Sequence, residues 1–169
     1  MEKKLSGGYE DMNYDGNFPV LMREVKSKEN IGACAYAHET ILVVDDEAVV
    51  MEVTREILQI LGYRVLTAWS GTEAIECYTS CEEKVDLVIL DMMLSGLGGG
   101  ETFDRLKSID PFVKVILSTG CNLAGQASMI MARGCNGYIQ KPFRMQELSQ
   151  KVREVLGGEQ SGHTLHNRY

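Results

Sequence analysis

Four short stretches of this sequence each end in a residue type that can do chemistry. Ile41-Leu42-Val43-Val44 runs into Asp45-Asp46, Asp86 to Leu90 into Asp91, Val113 to Leu117 into Ser118-Thr119, and Gly137 to Gln140 into Lys141-Pro142. Each of these residues alone has an ordinary explanation. An Asp pair caps the helix that follows, an Asp forms a turn, a Thr hydroxyl bonds its own turn, and a lysine sits in water. Acid, acid, hydroxyl and lysine at four separate ends form a stronger pattern than any member does. Brought together, three carboxylates repel one another and need a counter-charge. A divalent cation with oxygen ligands is the natural one, and Lys141 supplies a further positive charge.

The elements that must position these residues follow a regular rhythm from Thr40 onward. Ile41-Leu42-Val43-Val44, a short apolar run ending in Asp45-Asp46, suits a buried strand. Glu47 to Leu61 carries apolar residues at Val50, Val53, Ile57, Leu58 and Leu61, a helical spacing closed by Gly62. Arg64 to Thr67 is a second strand and Gly71 to Ser80 a second helix. Asp86 to Leu90 and Gly99 to Ile109 form the third pair, Val113 to Leu117 and Leu123 to Arg133 the fourth, and Gly137 to Gln140 and Arg144 to Leu156 the fifth. Five strand–helix units predict an α/β fold, a doubly wound (flavodoxin-like) five-stranded parallel sheet with helices on both faces. Strand order 2-1-3-4-5 sets strands one, three, four and five side by side, so their carboxyl ends share one rim. Residues 1–38 are glycine-bearing and polar, with one short candidate helix from Val20 to Lys28, and read as a flexible extension or linker. The domain is expected over 39–156, with a polar tail at 157–169.

Composition excludes several functions. The 169 residues hold 17 Lys+Arg against 24 Asp+Glu, a net charge of −7. Residues 39–156 contain 11 Lys+Arg and 17 Asp+Glu, so −6 of that charge lies in the predicted domain. An acidic unit disfavours non-specific nucleic-acid binding, which depends on Lys and Arg. The five cysteines form no CxxC pair, and Cys77 and Cys81, four apart, read as neighbours on one helix side. No apolar stretch suits a signal peptide or a membrane span, so a cytoplasmic protein is expected.

The four motifs, with Gly137-Tyr138-Ile139-Gln140-Lys141-Pro142-Phe143 as the last, resemble the receiver domain of two-component response regulators over about residues 39–156. The resemblance implies that Asp91 accepts a phosphoryl group from a phosphohistidine on a histidine kinase or phosphotransfer protein. It implies Mg²⁺ (or Mn²⁺) held by Asp46, Asp91 and the Met93 backbone carbonyl, with Asp45 assisting through water. Lys141 would pair with phosphoryl oxygens, Thr119 would hydrogen-bond one of them, and Tyr138 matches the switch aromatic. The output would be a change in protein–protein contacts with a downstream partner, and the resemblance leaves a homodimer open. Turnover of an external substrate is not expected, only self-phosphorylation and slow autodephosphorylation.

Two features depart from the family pattern. Ser95 stands where members usually carry proline, and Gly98 where an aspartate is frequent, which predicts a more flexible loop after Asp91. The glycines at 96, 98, 99 and 100 do not make a nucleotide site. No Gly-Lys-Ser/Thr follows, and the run lies after the third strand rather than in the first strand–helix turn. Two rivals remain: the receiver part of a hybrid histidine kinase, and an aspartyl-phosphate hydrolase. The hydrolase would want a second acid two residues after its nucleophile, where this chain has Met93. Of Met129, Ile130 and Met131, a single helical face cannot bury all three. Two in the core and one exposed is the plain expectation, with an adaptable partner-binding patch as the alternative.

Overall fold

The structure is a computed structural model and describes residues 38–120 and 129–157. The candidate helix at Val20 to Lys28 and the start of the helix predicted from Leu123 lie outside these residues. In chain order the elements are β1 (Thr40–Val44), α1 (Ala48–Ile60), β2 (Arg64–Ala68), α2 (Gly71–Ser80), β3 (Leu87–Asp91), α3 (Gly99–Ile109) and β4 (Val115–Thr119). Residues 129–132 are helical (α4), and β5 (Gly137–Gln140) and α5 (Met145–Gly157) follow.

All strand pairs are parallel, in the order β2-β1-β3-β4-β5. The doubly wound order expected from the sequence is therefore the observed one. The three central strands β1, β3 and β4 are buried along their whole length. Their unbroken apolar runs follow from that position, because helices cover both faces of a parallel sheet. Edge strand β5 alternates buried and exposed residues instead.

Alternation along each strand sorts the side chains into two cores. Leu42, Val44, Val88, Leu90, Val115 and Leu117 meet Ala74 of α2, Phe103 and Leu106 of α3, and Ile130 of α4. Ile41, Val43, Leu87, Ile89, Ile116 and Ile139 meet Met51 and Leu58 of α1 and Leu148 and Val152 of α5. Ile130 is buried and Met131 packs beside it, while Met129 is 63% exposed, the plain outcome expected of that triplet.

Local signals fix where helices start and stop. Ser70 caps α2 by accepting from the Glu73 N–H at 3.1 Å, and Glu73 reaches back to the Trp69 N–H at 2.7 Å. This reciprocal pair is close to a capping box. Gly62, at φ 94°, turns the chain out of α1 in a conformation that a residue with a Cβ adopts only with strain. Glu147 does for α5 what Glu73 does for α2, accepting from the Arg144 N–H at 2.8 Å.

Several boundaries shift by one or two residues from the sequence reading, and those of β3 and β4 bear on the site. β3 includes Asp91, and β4 begins at Val115 and includes Ser118 and Thr119. Val113 is buried and β-branched, but its N–H closes a turn onto the Asp110 carbonyl at 3.1 Å, so pairing starts later. That turn is anchored by Asp110, which accepts from the Tyr78 hydroxyl at 2.8 Å and from the Phe112 N–H at 2.8 Å.

These hydrogen bonds, Tyr78 first, hold the Asp110 carboxyl below its ordinary value, while burial and Asp110 push the Tyr78 phenol up. A depressed carboxylate contributes stability above its unfolded value, lost as pH falls through the folded one. Replacing Tyr78 by Phe is expected to cost about 1 kcal/mol at neutral pH. It should also remove part of the acid sensitivity below about pH 4. Urea unfolding at pH 7 and pH 3 checks both, and an unchanged pH dependence would refute the link.

Candidate functional site

Parallel strands deliver their carboxyl ends to one edge of the sheet, and there the charged residues gather. Asp45 follows β1, Asp91 closes β3 and Lys141 follows β5. The Lys141 Nζ lies 2.7 Å from Asp45 Oδ2, 3.1 Å from Asp91 Oδ2 and 3.5 Å from Glu47 Oε1. The first two are not surface pairs, since the side chains of Asp45, Asp91 and Lys141 are 4%, 2% and 11% exposed, whereas Glu47 is 65% exposed. The Lys141–Pro142 peptide bond is cis.

Backbone geometry locks each participant. Asp45 donates its N–H to the Ala68 carbonyl at 3.2 Å, tying it to the end of β2, and its Oδ1 accepts from the Glu47 N–H at 3.0 Å. The Lys141 N–H donates to the Thr119 carbonyl at 2.7 Å, which sets the start of its side chain beside the end of β4. The Met92 N–H donates to the Ser118 carbonyl at 2.9 Å, extending the β3–β4 ladder past Asp91. Gly99 is required beneath this turn, since a Cβ there would collide with the Asp91 carbonyl oxygen and lie 2.8 Å from Met92 Cα.

The electrostatics follow from burial and from counting charges. Burial pushes the Asp45 carboxyl up, although its hydrogen bonds from Lys141 and Glu47 pull the other way. Burial would lower the Lys141 ammonium, but the Asp45 hydrogen bond and the charges of Asp91 and Asp45 outweigh it and raise it. Asp46, the most exposed of the three acids, behaves differently. Its Oδ2 accepts from the Ser95 hydroxyl at 2.6 Å and the Ser95 N–H at 2.9 Å, and these bonds hold the carboxyl below its ordinary value.

Asp45, Asp46 and Asp91 each offer a carboxylate oxygen within 4.8 Å of the other two. One ammonium faces three carboxylates, so the cluster stays negative. Asp91 Oδ1 is buried and has no hydrogen-bond partner, and buried carboxylate oxygens seldom go unsatisfied. An all-oxygen donor set, a surplus of negative charge and an unpartnered buried oxygen fit a hard divalent cation such as Mg²⁺.

The structure thus brings together Asp45, Asp46, Asp91 and Lys141, as the sequence predicts. Thr119 is buried (5% exposed) at the end of the strand between Asp91 and Lys141. Tyr138 lies on edge strand β5 with 54% of its surface exposed, and the Met93 side chain is 65% exposed. Two further residues belong to the site. Glu47 reaches Lys141, although the sequence marks it only as the start of the first predicted helix. Ser95 was visible as a departure from proline in a loop expected to be flexible. Its two bonds to Asp46, across 49 residues of sequence, instead tie that loop to the end of β1.

Comparison with known proteins agrees with this geometry. The family model of the response regulator receiver domain matches residues 41–153. An uncharacterized transcriptional regulatory protein of Bacillus subtilis, YkoG, is 35% identical over 116 residues, which are 69% of this chain and 50% of the relative. The sporulation initiation phosphotransferase F of the same organism is 33% identical over 122 residues, 70% of this chain and 94% of that protein. A crystal structure of a response regulator receiver domain protein from Clostridium thermocellum superposes with a TM-score of 0.68 at 33% identity. That match covers 71% of this chain and 95% of the other. The chain spans about half the length of several of the transcriptional regulators it matches. Fold, acid cluster and kinship lead to one conclusion: this chain belongs to the response regulator receiver-domain family of two-component signalling.

Proposed function

We propose that Asp91 is the phosphoacceptor of this receiver and that its modification switches contacts with another protein. The observation that carries this reading is the Asp91 carboxylate, 2% exposed, held by Lys141 through Oδ2 with Oδ1 unpartnered. A carboxylate oxygen attacks phosphorus, the P–N bond of a donor phosphohistidine breaks, and the departing imidazole nitrogen keeps the electron pair. The donor is a histidine kinase or a phosphotransfer protein. Lys141 meets the incoming phosphoryl oxygens with the charge it now shares between Asp45 and Asp91. Thr119 donates its hydroxyl to one of those oxygens.

Asp46, Asp91 and the Met93 carbonyl, with Asp45 through water, would hold Mg²⁺ or Mn²⁺. When bound, that ion neutralises charge that would otherwise repel the phosphoryl group. The added charge of about −1.5 to −2 on Asp91 biases the domain between two states. Tyr138 is the aromatic side chain whose exposure would report that change. The unit that performs this is 39–156, with 1–38 and 157–169 as extensions to it. Action in the cytoplasm is part of this proposal; among the described residues no helix is long and apolar enough to cross a membrane.

Incubation with a small phosphodonor, followed by intact-mass measurement, tests the reading. With Mg²⁺ one phosphoryl group is expected per chain, and with excess chelator almost none. A chain that stays unmodified in Mg²⁺, or is modified equally in chelator, would contradict it.

A further inference from the structure

We propose that Ser95 is a positioning residue for the metal, holding Asp46 in the orientation that lets it act as a ligand. This inference rests on the reading of Asp46 as a ligand given above. Asp46 is the most exposed of the three acids and has no partner in Lys141. Its neighbours Asp45 and Asp91 are fixed by burial and by the ammonium, whereas an exposed carboxylate is free to turn about two torsions. Ser95 removes that freedom by placing two donors on one oxygen, the hydroxyl at 2.6 Å and the N–H at 2.9 Å from Oδ2. The other oxygen is left to coordinate.

Hydrogen bonds from outside the ligand set orient metal-binding carboxylates in this way, and their loss weakens affinity by about 10–100-fold. Proline at position 95 would supply neither donor, having no N–H and no hydroxyl. The serine therefore adds a clamp through a loop that connects β3 to α3. Of the two loops that meet, the one after β1 carries Asp46 and the one after β3 starts directly from Asp91, the other acid expected to share the ion. A loop fastened to Asp46 through Ser95 keeps those acids in register before any ion arrives.

Calorimetric titration of the full chain with Mg²⁺, without phosphodonor, tests this. Ser95→Ala is expected to weaken Mg²⁺ binding about tenfold, and Ser95→Thr, which restores a hydroxyl, to bind within about twofold of wild type. Ser95 is exposed, so the thermal midpoint in chelator should fall by no more than a few degrees for Ser95→Ala, the cost of one exposed hydrogen bond, and should match wild type for Ser95→Thr. Wild-type binding with an equal or tighter Ser95→Ala variant would overturn the proposal, as would a Ser95→Thr variant as weak as Ser95→Ala. A metal-free midpoint for Ser95→Ala lower than the loss of that one bond accounts for would also overturn it, by making the role structural. A wild-type chain that takes up no Mg²⁺ would remove the reading of Asp46 as a ligand, and this inference with it.

Discussion

Asp91→Asn is expected to abolish phosphoryl incorporation from a small donor while leaving the fold intact. The substitution keeps size and shape at a position that is 2% exposed, so the packing of β3 is undisturbed. It removes the one property the chemistry needs, because an amide oxygen is a far poorer nucleophile than a carboxylate. It also removes a negative charge from a cluster that has three carboxylates near one ammonium. The variant should therefore fold at least as well as wild type in the absence of metal, and bind Mg²⁺ more weakly. Intact mass and urea unfolding measure the two effects separately. A variant that still gained a phosphoryl group would show that another residue is the acceptor.

Lys141→Ala is expected to have the largest effect on stability. Its ammonium is the shared partner of Asp45 and Asp91, at 2.7 and 3.1 Å. Deleting one partner of a buried ion pair leaves uncompensated charge, at a cost of about 3–5 kcal/mol. Here two carboxylates that already repel each other would be left facing, with burial and the Asp91 charge pushing Asp45 up against only the Glu47 hydrogen bond. Mg²⁺ should recover part of the loss, since an ion that binds only the folded state stabilises it by mass action. The gap between wild type and variant in urea unfolding is thus expected to narrow as Mg²⁺ is added. Lys141→Met serves as the control for the aliphatic stem and should behave like the alanine variant. Equal stability without metal would mean that the lysine does not carry the charge balance assigned to it. On the functional side, the phosphorylated Lys141→Ala chain should show no change in Tyr138 exposure.

Much of this was legible in the sequence because parallel sheets make their demands visible. The central strands are buried on both faces, so Ile41 to Val44 and Leu87 to Leu90 are continuous apolar runs, and their carboxyl ends announce Asp45 and Asp91. The helices α2 and α3 were bounded correctly because Gly71 and Gly99 begin them in both the sequence and the structure. β4 was placed two residues early because Val113 is as buried and as apolar as a strand residue, and only its turn bond to Asp110 distinguishes it. The contacts of the site were less legible than its members. Type and spacing predict that Lys141 meets the acids. They do not predict that it sits closer to Asp45 than to Asp91, which depends on how β5 is seated against β4. The Ser95–Asp46 clamp joins two loops 49 residues apart, and no local pattern encodes such a meeting.

The central claim is that one carboxylate, Asp91, carries the phosphoryl group. The most direct measurement is borohydride reduction of the phosphorylated chain followed by peptide mass mapping, because reduction of an acyl phosphate converts aspartate to homoserine at the modified position. The result expected is homoserine at position 91 alone, formed with Mg²⁺ and absent without the phosphodonor. Homoserine at 45 or 46, or a phosphoryl group on a hydroxyl such as Thr119 or Ser118, would contradict the account.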